Sequence, residues 1–135
     1  MNTWLIDYDW TVLSFGLIGG LLVVQVLISD VVSIGAKHPP GAPVLPDHGS
    51  LLFRVHRAHA NTNETLAGFV VLTLFALAAR ANPEWLNGLT MTYIGARLGH
   101  MTCYYANLKT MRSIAFGISL VALVGILVVG LLAWF

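Results

Sequence analysis

The chain has 135 residues, of which 57% are hydrophobic and only 10% charged, with a mean hydropathy of +0.78. An apolar excess of this size excludes an ordinary soluble domain, whose charged fraction is about 25%. The formal net charge of +1 gives no electrostatic case for nucleic acid, and the lone Cys103 excludes an internal disulfide and a cysteine metal cluster, leaving it a small packing residue.

The first apolar segment runs from about 11 to 32 and is interrupted only by Gln25 and small residues. It is too long for a signal-peptide core and lacks a small-residue cleavage site, so it reads as a retained span. The stretch from Lys37 to Gly49 holds four of the five prolines and cannot continue a helix. A second helix is expected over 51–79, a turn at Asn82-Pro83-Glu84, a third helix over 85–106 and a charge-free fourth over 113–135. The expected fold is therefore all-α: one membrane domain, 1–135, built as a four-transmembrane-helix bundle.

Cations set the expected orientation. Lys37, Arg54 and Arg57 flank the first loop, and Lys109 and Arg112 the third, which places those loops in the cytoplasm and both termini outside it. Trp4, Trp10, Trp85 and Trp134 then fall at the outer interface. The expected setting is a multi-pass integral membrane protein, in a bacterial inner membrane in preference to the endoplasmic reticulum.

Two polar stripes interrupt this apolar plan. At about 100° per residue, Arg54, Arg57, Asn61 and Glu64 share an arc of roughly 80° on the second helix, and Tyr93, Arg97, His100 and Tyr104 one of roughly 60° on the third. A charge near a membrane helix centre costs about 2.5–3.5 kcal/mol, so Arg97 needs a partner, and Glu64 is the acid expected to pair with it. That pair could be a brace and nothing more. The donors on Arg54, Arg57, Asn61, His100 and Tyr104 exceed what a brace requires and suit an anionic ligand such as a carboxylate. Gly95 and Gly99, and Gly16 and Gly20, form small-xxx-small pairs that point to close helix or subunit packing. A haem held by His56 or His59 with His100 is a competing reading, though it leaves the arginines and Asn61 without a purpose.

Arg57-Ala58-His59-x-Asn61-x-x-Glu64, then Ala96-Arg97-x-x-His100-x-x-x-Tyr104, then Arg112-Ser113, carry a resemblance in order and spacing. The chain resembles the membrane-associated proteins in eicosanoid and glutathione metabolism (MAPEG), the group that contains microsomal glutathione transferases, leukotriene synthase and prostaglandin E synthase. The resemblance implies a homotrimer with glutathione bound between subunits near the cytoplasmic side, and no metal. Arg57, Asn61 and Glu64 would hold the peptide part of glutathione, with Arg97, His100 and Tyr104 completing the pocket. Arg112 would sit near the thiol and favour its thiolate, with Ser113 beside it. Ala60 and Thr62 depart from the basic residue and aspartate that several members carry.

The expected activity is a glutathione-dependent transferase or peroxidase acting on lipophilic electrophiles, which would enter from the bilayer between the first and last helices. The alternative is a catalytically silent accessory subunit of a membrane assembly.

Overall fold

The computed structural model describes residues 3–135; the expectation for Trp4 concerns a side chain outside the described ones. A 3-10 turn over Thr3–Tyr8 leads into α1 (Asp9–Gly35), α2 (Leu51–Ala78), α3 (Pro83–Tyr105) and α4 (Lys109–Trp134), with no strand among the described residues. The helices run up and down, giving the bundle a tryptophan-bearing end and a loop end. At 1.5 Å per residue even the 23 residues of α3 reach roughly 35 Å, more than a hydrocarbon core of about 30 Å.

Three helices, α1, α2 and α4, are long and apolar enough to cross a membrane. The third is long enough but too polar by composition, because it carries Asn87, Thr90, Arg97 and His100. Residues 79–82 and 106–108 tie it tightly to its antiparallel neighbours, and its polar side chains Thr90, Arg97 and His100 are buried within the bundle. The protein is thus an all-helical integral membrane bundle whose least apolar helix is the one most enclosed by the others.

Helix ends explain the departures from the expected bounds. α3 starts at Pro83, two residues early, because Asn82 caps it by accepting from the Trp85 N–H at 3.1 Å and proline suits a first-turn position. α4 starts at Lys109, four residues early, so Arg112 and Ser113 lie in or just past its first turn. Lys37, Arg80 and Asn107 adopt φ of 53°, 55° and 58° immediately after the ends of α1, α2 and α3. Each is followed by a Schellman bond: His38 N–H to Ser33 C=O at 3.0 Å, Ala81 N–H to Ala76 C=O at 2.9 Å, and Leu108 N–H to Cys103 C=O at 2.8 Å. These closures use no glycine.

The N-terminus of α1 has no side-chain cap of its own. Asn87 of α3 supplies one from across the bundle: its Oδ1 accepts from the Thr11 N–H at 2.9 Å and the Thr11 hydroxyl at 2.7 Å, while its Nδ2 donates to the Asp7 carbonyl at 2.8 Å. Tyr8 Oη adds a 2.6 Å bond to the Ala81 carbonyl.

α2 and α3 form the middle of the bundle. α1 packs on one side of them and α4 on the other, and α1 and α4 make no contact with each other among the described residues. The expected entry route between the first and last helices is therefore not a groove of one subunit. Close approach also falls elsewhere than expected. A Cβ added at Gly16, Gly20 or Gly95 would meet nothing within 4 Å, and one at Gly99 would make only ordinary contact with Ala115. The tight sites are Gly125, 2.7 Å from Leu89 Cδ2, and Gly130, 2.9 Å from Phe75 Cε1 and 3.3 Å from Ala76 Cα. Among apolar side chains the strongest stack is Phe69 on Tyr93, with centroids 4.3 Å apart and planes at 7°.

Candidate functional site

The α3 stripe faces inward along its whole length. Tyr93, Arg97, His100 and Tyr104 are all buried, and Arg97, at 0% exposure, is the largest fully buried side chain among the described residues. Its guanidinium lies between two rings, 5.4 Å from the Tyr93 centroid and 5.3 Å from that of Phe116.

Glu64 is not its ion-pair partner. Arg97 Nη1 donates to Asn61 Oδ1 at 2.8 Å, while Glu64 pairs with Arg57 at 2.6 Å. The reason is geometry along α2: Glu64 sits on the open flank with a half-exposed side chain, as does Arg57, whereas Asn61 turns in. Asn61 bridges the two, because its Nδ2 donates to Glu64 Oε2 at 3.3 Å. A buried cation is thereby linked to a solvated carboxylate through one amide, with both ends of the amide used in their natural sense.

Arg97 remains under-satisfied. Its Nε and Nη2 have no hydrogen-bond partner of good geometry, and neither has His100 Nδ1. Unused donors at a buried cation suit a polar, anionic acceptor.

Asn61, His100, Tyr104, Arg112, Ser113 and Phe116 line a single open cavity of about 290 Å³ at the loop end. Tyr104 packs against the His100 ring at 5.0 Å, and Arg112 lies over the Tyr104 ring at 4.6 Å. Arg57 and Glu64 stand beside this cavity on the open face of α2. Arg54 is placed differently. Its Nη1 donates to the carbonyls of His48 and Gly49 at 2.8 and 2.9 Å, so it fastens the loop to α2.

His48, in the proline-rich loop, joins the site from outside both helical stripes. Its Nδ1 lies 3.0 Å from Arg112 Nη1, and its ring meets Phe53 edge-on at 4.9 Å. Burial, then the Arg112 and Lys109 cations, hold its imidazole below the usual histidine range against the opposing pull of Asp47. No spacing could have exposed a contact across 64 residues of chain. Phe116 was likewise hidden, one apolar residue in an apolar helix.

The remaining histidines lie apart. His56 Nε2 is 2.9 Å from Ser33 Oγ of α1, and His56 and His59 line a separate cavity of about 800 Å³ with His38 and the loop, away from His100 and α4. The residues of the competing haem reading are thus not brought together. No group of three His, Cys, Asp or Glu side chains placed to hold a metal occurs among the described residues.

A membrane-spanning helical bundle, with a buried arginine joined through Asn61 to a cavity lined by arginine, histidine and tyrosine, defines a class of integral membrane protein with a polar cluster among its helices. The family model for the MAPEG family matches residues 10–132, and the chain belongs to that family. Membership places it among membrane proteins of eicosanoid and glutathione metabolism. No curated protein matches the chain.

Proposed function

We propose that the protein is a glutathione-dependent transferase or peroxidase that works as a homotrimer on lipophilic electrophiles. The observation that carries this reading is the buried Arg97, which donates to the cavity-lining Asn61, packs between the Tyr93 and Phe116 rings, and leaves its Nε and Nη2 donors unused. A tripeptide with two carboxylates supplies the missing acceptors. In this reading Asn61, Arg97, His100 and Tyr104 hold glutathione within the cavity, Arg57 and Glu64 meet it at the open flank, and Arg54 secures the adjoining loop.

The thiol belongs at Arg112 and Ser113. Both line the cavity near the positive end of the α4 dipole, whose N-cap residue Leu108 makes no side-chain bond. A guanidinium and a helix N-terminus both favour a thiolate over a thiol, whose unperturbed pKa is about 8.5. When bound, glutathione supplies the sulfur nucleophile that attacks the electrophile.

The trimer belongs to the same reading, and the placement of α1 and α4 is compatible with it. Because α1 and α4 stand on opposite sides of the central pair, closing a ring of copies sets one subunit's α1 beside the next one's α4, enclosing the cavity and creating the lateral entry a single subunit lacks. The test is calorimetric titration of the detergent-purified protein with glutathione, with native mass spectrometry for the assembly. One glutathione per site in a trimer is expected, with affinity lost in Arg97→Met. A trimer that takes up no glutathione would make the accessory-subunit reading the better one.

A further inference from the structure

Arg112 begins a long side chain in the first turn of α4, where its neighbours Lys109, Met111 and Ser113 are exposed. A flexible cation at a membrane surface extends into water unless something holds it. Two contacts hold this one over the cavity: the face of Tyr104, at 4.6 Å, and the imidazole of His48. We propose that His48 is a positioning residue of the site: its neutral Nδ1, 3.0 Å from Arg112 Nη1, keeps the guanidinium at the cavity, and protonation of His48 releases it. The inference rests on the glutathione reading for what Arg112 then acts upon.

The chemistry of the contact is one-sided. A guanidinium can only donate, so Nδ1 must accept, and the imidazole proton must sit on Nε2. A protonated His48 would present a donor to a donor and a charge to a like charge. The groups facing the ring favour the neutral form: Arg112 and Lys109 from α4 and Arg54 from α2 are cationic, Tyr104 from α3 is neutral, and Asp47 beside it in the loop is the one acid. The imidazole is accordingly held below its ordinary value near 6.5.

His48 is itself fixed. Its ring stands edge-on to Phe53 with planes at 85°, and its carbonyl accepts from Arg54. Arg54, which lines no part of the cavity, thus acts two steps away: it anchors the loop, the loop carries His48, and His48 aims Arg112. This gives a use to Arg54, the member of the α2 stripe bound to the loop.

The experiment has two arms. In the first, ligand-free protein labelled with ¹⁵N-histidine is titrated by NMR. His48 should show Nδ1 unprotonated at pH 7 and a midpoint below 6.5, and Arg112→Ala should raise that midpoint by removing a facing cation. In the second, the ultraviolet absorbance of bound glutathione thiolate is followed with pH. His48→Ala should raise the thiolate pKa by about half to one unit, lowering the thiolate fraction about three- to tenfold at pH values well below that pKa. His48→Asn, which keeps an acceptor oxygen and cannot protonate, should restore most of that loss, and should fall with acid through one protonation where the wild type falls through two. Equal thiolate pKa values in wild type and His48→Ala would overturn the positioning role alone, as would equal rises in both variants or an Nδ1-protonated His48. A wild-type protein that binds no glutathione overturns the glutathione reading and this role with it, while the first arm still reports whether the His48–Arg112 contact exists.

Discussion

The two ends of the bundle are made from the same four helices and behave as different materials. Toward the tryptophan-bearing end, Leu89 meets Gly125, Phe75 meets Gly130 and Trp134, and Asn87 closes the start of α1 with three hydrogen bonds. Cavities occur at both ends, of about 350 and 310 Å³ beside Trp85 and of about 290 and 800 Å³ toward the loops, but of these only the loop-end pair is lined by histidines, with Arg112 in the smaller. Of the buried polar atoms left without a partner, Thr73 Oγ1 lies at the tryptophan end, while those of Gln25, Ser29, Arg97, His100, Arg54, His59 and Tyr105 lie toward the loops. One half sets helix spacing by contact. The other is held at that spacing with polar groups to spare.

If that division is right, the largest effect on stability should come from the tight half. Gly130→Leu drives a side chain into the Phe75 ring and the Ala76 backbone, and should destabilise by about 3 kcal/mol, at the upper end for overpacking, in thermal unfolding in detergent. Gly125→Ala meets only the flexible end of Leu89 and should cost clearly less. Similar losses from the two would break the picture of a rigid backbone contact at Gly130.

The open half should show the reverse pattern. Arg97→Met exchanges an under-satisfied buried cation for an apolar chain of similar length, so stability should hold or rise. Glutathione affinity should fall by about tenfold or more, the equivalent of roughly 1.5–3 kcal/mol for charge-assisted hydrogen bonds. A large drop in melting temperature with unchanged affinity would return Arg97 to the role of a brace.

A smaller effect sharpens the boundary. Arg57 and Glu64 are half-exposed, so their ion pair should contribute under about 1 kcal/mol, and Glu64→Gln should leave the melting temperature nearly unchanged. If Glu64 meets the ligand, affinity falls all the same. The smallest change lies in the turn at the tryptophan-bearing end: Arg80→Gly relieves a left-handed residue at φ 55° and should stabilise by about 1 kcal/mol or less. A loss of stability there would mean that the Arg80 side chain makes a contact worth more than its backbone strain.

Much of the candidate site was legible along the chain because helical periodicity is a local property. Tyr93, Arg97, His100 and Tyr104 had to share a face, and burying that face was the only inexpensive place for Arg97 in an apolar solvent. The partner was a different matter. Glu64 and Asn61 lie on the same stripe three residues apart, and only the rotation of α2 against α3 decides that the amide turns inward and the acid outward. The small-residue pairs show the same limit: spacing marks a smooth face without saying what it touches, and within the chain the close contacts fall at Gly125 and Gly130.

What the sequence determined by itself was the solvent, the helical class, the run of polar stripes and, through Arg57-to-Glu64, Arg97-to-Tyr104 and Arg112-Ser113, the family. Each is a matter of composition or of spacing within one helix. Tertiary structure alone decided that Asn61 bridges Arg97 to Glu64, that Asn87 caps α1, that α1 and α4 stand apart, and that His48 reaches Arg112. Those contacts join residues between 3 and 76 positions apart in the chain, and which donor finds which acceptor is settled by helix rotation and loop closure, quantities no single segment encodes.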